Sequence, residues 1–163
     1  MATRSPLPET DRVTATLVLH VDVDAPVEQT WTAATDWANQ GEWMLGTKVW
    51  PTLHDGIGVG GRLEAYSGKR PLGFLDTMEI TRWEPPQRCD VLHTGRVVRG
   101  TGTFIVESRG DRSRFVWRED LDLPLGLLGR LGWLLVKPFF AYGVQLSLKR
   151  FARHVEAGAP HRP

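Results

Sequence analysis

The stretch VTATLVLHVDVDAPVEQTWTAATDWANQGEW (residues 13–43) changes its hydrophobic period once, at a proline. From Val13 to Val23 the residues alternate. Val13, Ala15, Leu17, Leu19, Val21 and Val23 point one way; Thr14, Thr16, His20 and Asp22 point the other. A period of two belongs to a half-buried strand. Asp24-Ala25-Pro26-Val27-Glu28 then reads as a helix start. Pro26 suits the first helical position, and an early carboxylate suits the positive pole of a helix. Trp31, Ala34 and Thr35 follow at helical spacing, and Asp36 to Trp43 reads as a second short helix.

Further along, Thr47–Trp50 is a short strand candidate broken by Pro51, and His54 to Gly61 is a glycine-rich connection. Arg62–Tyr66, Phe74–Trp83, Arg88–Thr94, Val97–Glu107 and Arg114–Leu121 read as further strands separated by short turns, which favours an antiparallel meander. A last helix runs from about Pro124 to about Glu156, its basic end (Lys149, Arg150, Arg153, His154) matched to the negative pole. It is broadly apolar, but its longest charge-free run is only Pro138 to Leu148, and Pro138 predicts a kink. A spanning helix needs about twenty predominantly apolar residues. The reading is therefore a helix lying on the sheet, with no transmembrane segment and at most a weak peripheral membrane contact.

The 163 residues suit one domain, taken as 11–157, with flexible tails at 1–10 and 158–163. Twenty basic against nineteen acidic side chains leave a net charge of +1, so no global field points to nucleic acid. Cys89 is the single cysteine, which excludes an intrachain disulfide and a CxxC site. Together with an N-terminus lacking a signal-like apolar run, this suggests a reducing, cytoplasmic setting.

This outline resembles the START-like, helix-grip superfamily (SRPBCC), in its polyketide cyclase/dehydrase-like branch. The residues that carry the resemblance are Val21 to Trp31, Thr35-Asp36-Trp37 with Gly41-Glu42-Trp43-Met44, Gly58-Val59-Gly60, and Trp83 to Arg88, followed by the long last helix. It implies an α+β fold: a curved antiparallel sheet of six to seven strands, two short helices after the first strand, and a C-terminal helix covering an apolar cavity. Such concave apolar sites take small ligands. The implied partner is a hydrophobic small molecule (a lipid, polyketide or isoprenoid-like compound). The resemblance also permits an aromatase/cyclase-type enzyme, or a toxin-like or regulatory interaction protein for which Lys149–His154 is the only hint. The oligomeric state stays open.

Residues expected at such a cavity are Trp31, Trp43, Asp76, Met78, His93, Phe104, Trp117, Glu119, Leu131, Leu135, Phe139 and Tyr142. His93, Glu119 and Tyr66 are candidates for moving protons. Glu119 stands out because it shares a strand face with Phe115, Trp117 and Leu121. If that face is internal, burial raises its pKa; the alternative is a rim carboxylate paired to an arginine. Asp76 raises the same question, and the alternative for His93 is a structural histidine. Arg96, Arg99 and Arg118 could grip an anionic head group or simply be solvated; Trp31, Trp37, Trp43 and Trp50 could stack a planar ring or pack the core. The segment Gly56–Gly61 could flex over a cavity mouth or be stiffly packed. No metal is expected, since His20, His54, His93, His154 and His161 lack ligand spacing, and no cofactor, since a strand rather than a helix follows Gly58-x-Gly60. Cys89 has no neighbour that would make it a nucleophile.

Overall fold

The computed structural model describes residues 13–123 and 126–158. Both expected tails lie outside that range except Gly158, which ends the last helix rather than starting a tail; Pro124 also lies outside it. Strand β1 (Val13–Val23) is followed by α1 (Val27–Ala34) and a 3₁₀ turn (Trp37–Glu42). Then come β2 (Thr47–Leu53), β3 (Arg62–Ser67), β4 (Phe74–Glu84), β5 (Arg88–His93), β6 (Gly100–Arg109), β7 (Arg112–Leu123) and α2 (Gly126–Gly158).

The strands form one curved antiparallel sheet in the order β1-β7-β6-β5-β4-β3-β2. Six strands follow one another as a meander, and β1 closes the row by pairing with β7. Pro51, expected to break β2, sits within it opposite Leu63. β2 is an edge strand, where a residue without an N–H is tolerated. The strand expected from Val97 begins only at Gly100, and Val97 itself is exposed.

Register decides which side chains share the inner face. Ala65 opposes Asp76, Met78 opposes His93, Val91 opposes Gly102, and Gly102 opposes Glu119, which opposes Leu17. A bulge between Ile80 and Arg82 shifts the parity of β4 by one residue. Trp83 thereby lands opposite Cys89 on the same face as Ile80, and meets Trp31 edge-to-face with ring centroids 5.1 Å apart.

The core lies between this face, α1 and the second half of α2. Trp43, Phe115 and Phe151 are its largest side chains, with Phe151 ring centroids 4.8 Å from Trp43 and 4.7 Å from Phe115. Helix α2 packs chiefly on β1 through Val144, Leu148, Phe151, Ala152 and Val155. Polar clasps reinforce that half: Gln145 donates to the His20 carbonyl, the Leu45 N–H donates to Ser147 Oγ, and the Asp24 N–H donates to Glu156. The expectation of a helix lying on the sheet thus holds only for its C-terminal half. Leu127, Leu128, Leu131 and Leu135 stay exposed. The basic residues expected to cap the helix end sit more than a turn before it, where Arg150 donates to the Glu42 carbonyl and His154 faces the Glu42 carboxylate.

Candidate functional site

Three titratable side chains meet on the inner face. His93 ends β5, with Asp76 on β4 to one side and Glu119 on β7 to the other. Its Nδ1 lies 2.7 Å from Asp76 Oδ2 and its Nε2 lies 3.1 Å from Glu119 Oε2. All three are buried. The second Glu119 oxygen accepts a 2.6 Å hydrogen bond from the Trp117 indole N–H. Both oxygens of Glu119 are therefore engaged, whereas Asp76 Oδ1 is buried without a partner among the described residues.

Both ring nitrogens of His93 face carboxylate oxygens, an arrangement that suits an imidazolium donating in both directions. Burial alone would push its pKa down. The hydrogen bonds to Asp76 and Glu119, together with their charges, overcome that and raise it to about 9. His93 is then a cation at neutral pH, held between two carboxylates on a largely apolar surface.

Strand β6 lies between β5 and β7, so a bridge from His93 to Glu119 has to pass over it. The β6 residues at that level are Gly100, opposite His93, and Gly102, opposite Glu119. A Cβ at Gly102 would stand 3.2 and 3.3 Å from the two Glu119 oxygens and 3.1 Å from Val91 Cγ2. At Gly100 the φ of 122° also requires glycine, and a Cβ would collide with the Asp120 carbonyl. Gly100 is thus required by its own backbone, whereas Gly102 leaves the gap through which residues two strands apart make contact. Gly95 does the same beside Asp76, where a Cβ would approach Oδ1 to 3.1 Å.

Of the residues expected at a cavity, the structure gathers Asp76, Met78, His93, Phe104, Trp117 and Glu119 on this face. Trp31 and Trp43 are instead packed into the core, Trp31 against Trp83 and Trp43 against Phe151. Tyr66 opposes Leu75 on the other face of the sheet and its ring covers Gly73, because β3 turns Leu63 and Ala65 inward. Leu131, Leu135, Phe139 and Tyr142 are exposed on α2. The rim alternative for Glu119 fails, since its partners are His93 and Trp117 rather than an arginine.

Arg118 pairs with Asp120, and Arg96 and Arg99 are exposed. Trp37 is buried and donates to the Gly56 carbonyl, and Trp50 donates to Glu64. The Gly56–Gly61 segment is tied into the sheet rather than free to flex: Gly60 N–H donates to the Ile80 carbonyl and Ile80 N–H to the Gly61 carbonyl. Cys89 is buried, which pushes its thiol up to about 12. A separate groove of about 480 Å³ between α1 and the end of α2, lined by Glu28, Gln29, Thr32, Asp36 and His154, contains none of the buried triad. Among the described residues, no group of His, Cys, Asp and Glu is arranged to hold a metal ion. Gly102 escaped the sequence reading. A glycine inside a strand is the signal that marks a place of close approach.

Residues 12–156 match the family described as polyketide cyclase/dehydrase and lipid transport, and the chain belongs to that family. It is similar to protein TTHA0849 from Thermus thermophilus, at 17% identity over 90% of this chain and 100% of that one, with a TM-score of 0.75. It is also similar to the Zhui aromatase/cyclase from Streptomyces sp. R1128, at 15% identity, 88% and 94% coverage, and a TM-score of 0.71. The di-domain ARO/CYC BexL, from the BE-7585A biosynthetic pathway, matches at 17% identity over 90% of this chain and 48% of its own, with a TM-score of 0.66. At such identities these likenesses establish a common helix-grip fold. No curated protein matches in sequence.

Proposed function

We propose that the inner face of the sheet binds an apolar small molecule carrying an O–H or N–H donor, and that Asp76 Oδ1 receives that donor. The observation that carries this reading is the buried, unpartnered carboxylate oxygen on a face that, beside His93 and Glu119, carries Met78, Val91, Phe104 and Trp117. A buried acceptor left unmatched costs about 1–3 kcal/mol, so its place on this surface suits a site that a ligand completes. Family membership supports a hydrophobic ligand, and a lipid, polyketide or isoprenoid-like compound fits the lining. A reducing, cytoplasmic setting suits Cys89.

A second reading is favoured by the linked Asp76–His93–Glu119 chain. Titratable groups hydrogen-bonded to one another in one buried site are a usual means of proton transfer. Here Asp76 would take a proton from the bound molecule while the His93 imidazolium, already donating to Asp76, steadies the carboxylate. A cyclase or dehydratase-type reaction needs such a step, and the aromatase/cyclase neighbours are consistent with it.

Tryptophan fluorescence tests the binding reading with 2-naphthol and its methyl ether, two probes that differ in one donor. The phenol is expected to bind at least about tenfold more tightly, the worth of one hydrogen bond to a charged group. That preference should vanish in Asp76→Ala. Equal affinity for both probes in the native protein, or no binding of either, would overturn it. If phenols bind but His93→Ala and Glu119→Gln leave any turnover of a bound polyketone unchanged, the catalytic reading fails and the binding reading stands.

A further inference from the structure

Helix α2 has two sides along its first half. Counting back from the buried Val144 by three and four residues gives Ala141, Lys137, Trp133, Gly129 and Gly126, all half-buried. They continue the stripe that packs on β1. The opposite side reads Leu127, Leu128, Leu131, Leu135, Phe139 and Tyr142, each between 53% and 79% exposed. Further along the helix the same side carries Lys149 and Arg153, also exposed, while Arg150 between them is bonded to the Glu42 carbonyl. From Leu123 to Val155 the chain has no acidic residue, while Arg130, Lys137, Lys149, Arg150 and Arg153 are all basic. Among the described residues, none of these five joins an ion pair.

We propose that the outward side of α2 docks on an anionic bilayer surface. Its apolar first half would lie among the head groups and upper acyl chains, and Lys149 and Arg153 would rest on the lipid charges. A contiguous exposed apolar patch rimmed by polar residues marks an interaction surface. An apolar helix side continued by basic side chains is the pattern of a helix lying in a membrane interface. Charge complementarity selects anionic over neutral lipid.

The width of the patch separates a bilayer from a second copy of the chain. With Leu134 and Val136, both exposed, the apolar side spans about 200° of the helix circumference at about 100° per residue. A helix–helix seam uses a much narrower stripe, whereas lipid wets every exposed side chain. The arrangement is interfacial and not spanning, because the C-terminal half of α2 is committed to the core through Leu148 and Phe151. This docking does not depend on what the inner face of the sheet binds.

The test is flotation of the full chain with phosphatidylcholine vesicles, with and without about one-third phosphatidylserine. Binding is expected only to the anionic vesicles and should weaken in high salt. Each basic side chain near such a surface contributes about fivefold, so Lys149→Gln with Arg153→Gln should lower partitioning about 25-fold. Leu135→Ser with Phe139→Ser should abolish it. Circular dichroism should show both variants folded, since all four positions are exposed. No flotation of the native chain, flotation unchanged in Leu135→Ser/Phe139→Ser, or a solution dimer that this variant makes monomeric would each overturn the proposal.

Discussion

The charge state of His93 yields a prediction in pH. In an unfolded chain its imidazole titrates near 6.5; between Asp76 and Glu119 it is held at about 9. A folded-state value above the unfolded one means that protonation stabilises the fold. The contribution is complete below about pH 6.5 and is lost as pH rises through about 9. At about 1.36 kcal/mol per pKa unit, the gap corresponds to about 3 kcal/mol, most of it vanishing between pH 7 and 9. Urea denaturation across that window should show stability falling with a slope approaching about 1.36 kcal/mol per pH unit. Cys89 adds a loss of the same sign, but only above its unfolded value of 9.0, since its folded value is about 12. The neutral combination Asp76→Asn, His93→Leu and Glu119→Gln should flatten the slope between pH 7 and 9. The His93 ring-proton resonance should move with a midpoint near 9. A midpoint at or below 6.5, or equal slopes in the native and neutral proteins, would refute the assignment of an imidazolium bridge.

Two further substitutions test the packing that builds the site. Gly102→Val forces side-chain atoms into the space between Val91 and the Glu119 oxygens. It should cost about 1–3 kcal/mol by overpacking and return the His93 resonance toward 6.5, read by urea denaturation and NMR. Phe151→Ala empties the junction where α2 meets Trp43 and Phe115. It should cost about 3–5 kcal/mol, seen as a lower denaturation midpoint with an unchanged His93 titration.

Much of this architecture can be read from local pattern. Pro26 separates the alternation of β1 from the helical spacing of α1, and the structure follows it within a residue. The inward face of β7 follows from Phe115, Trp117 and Glu119 sharing a period of two, and Glu119 is buried as that face requires. What local pattern does not contain is cross-strand register. Nothing near His93 indicates that Glu119 stands two strands away, and that contact crosses β6 where Gly102 leaves out the intervening side chain. The bulge after Ile80 turns Trp83 inward, a parity change no alternation rule foresees. Tyr66 lies on the other face of the sheet because its own strand turns Ala65 and Leu63 inward. The outward side of α2 was hidden because the first half of that helix is apolar around most of its circumference, so hydrophobicity alone does not say which side meets the sheet.

The central proposal is that the inner face of the sheet is a binding site completed at Asp76. Native mass spectrometry of freshly purified protein, followed by organic extraction, tests this most directly. The predicted result is a defined apolar adduct bearing a hydroxyl or N–H group, retained by the native chain and lost from Asp76→Ala. A clean unliganded mass from the native chain, with no change in the His93 resonance when donor-bearing aromatic compounds are added, would contradict it.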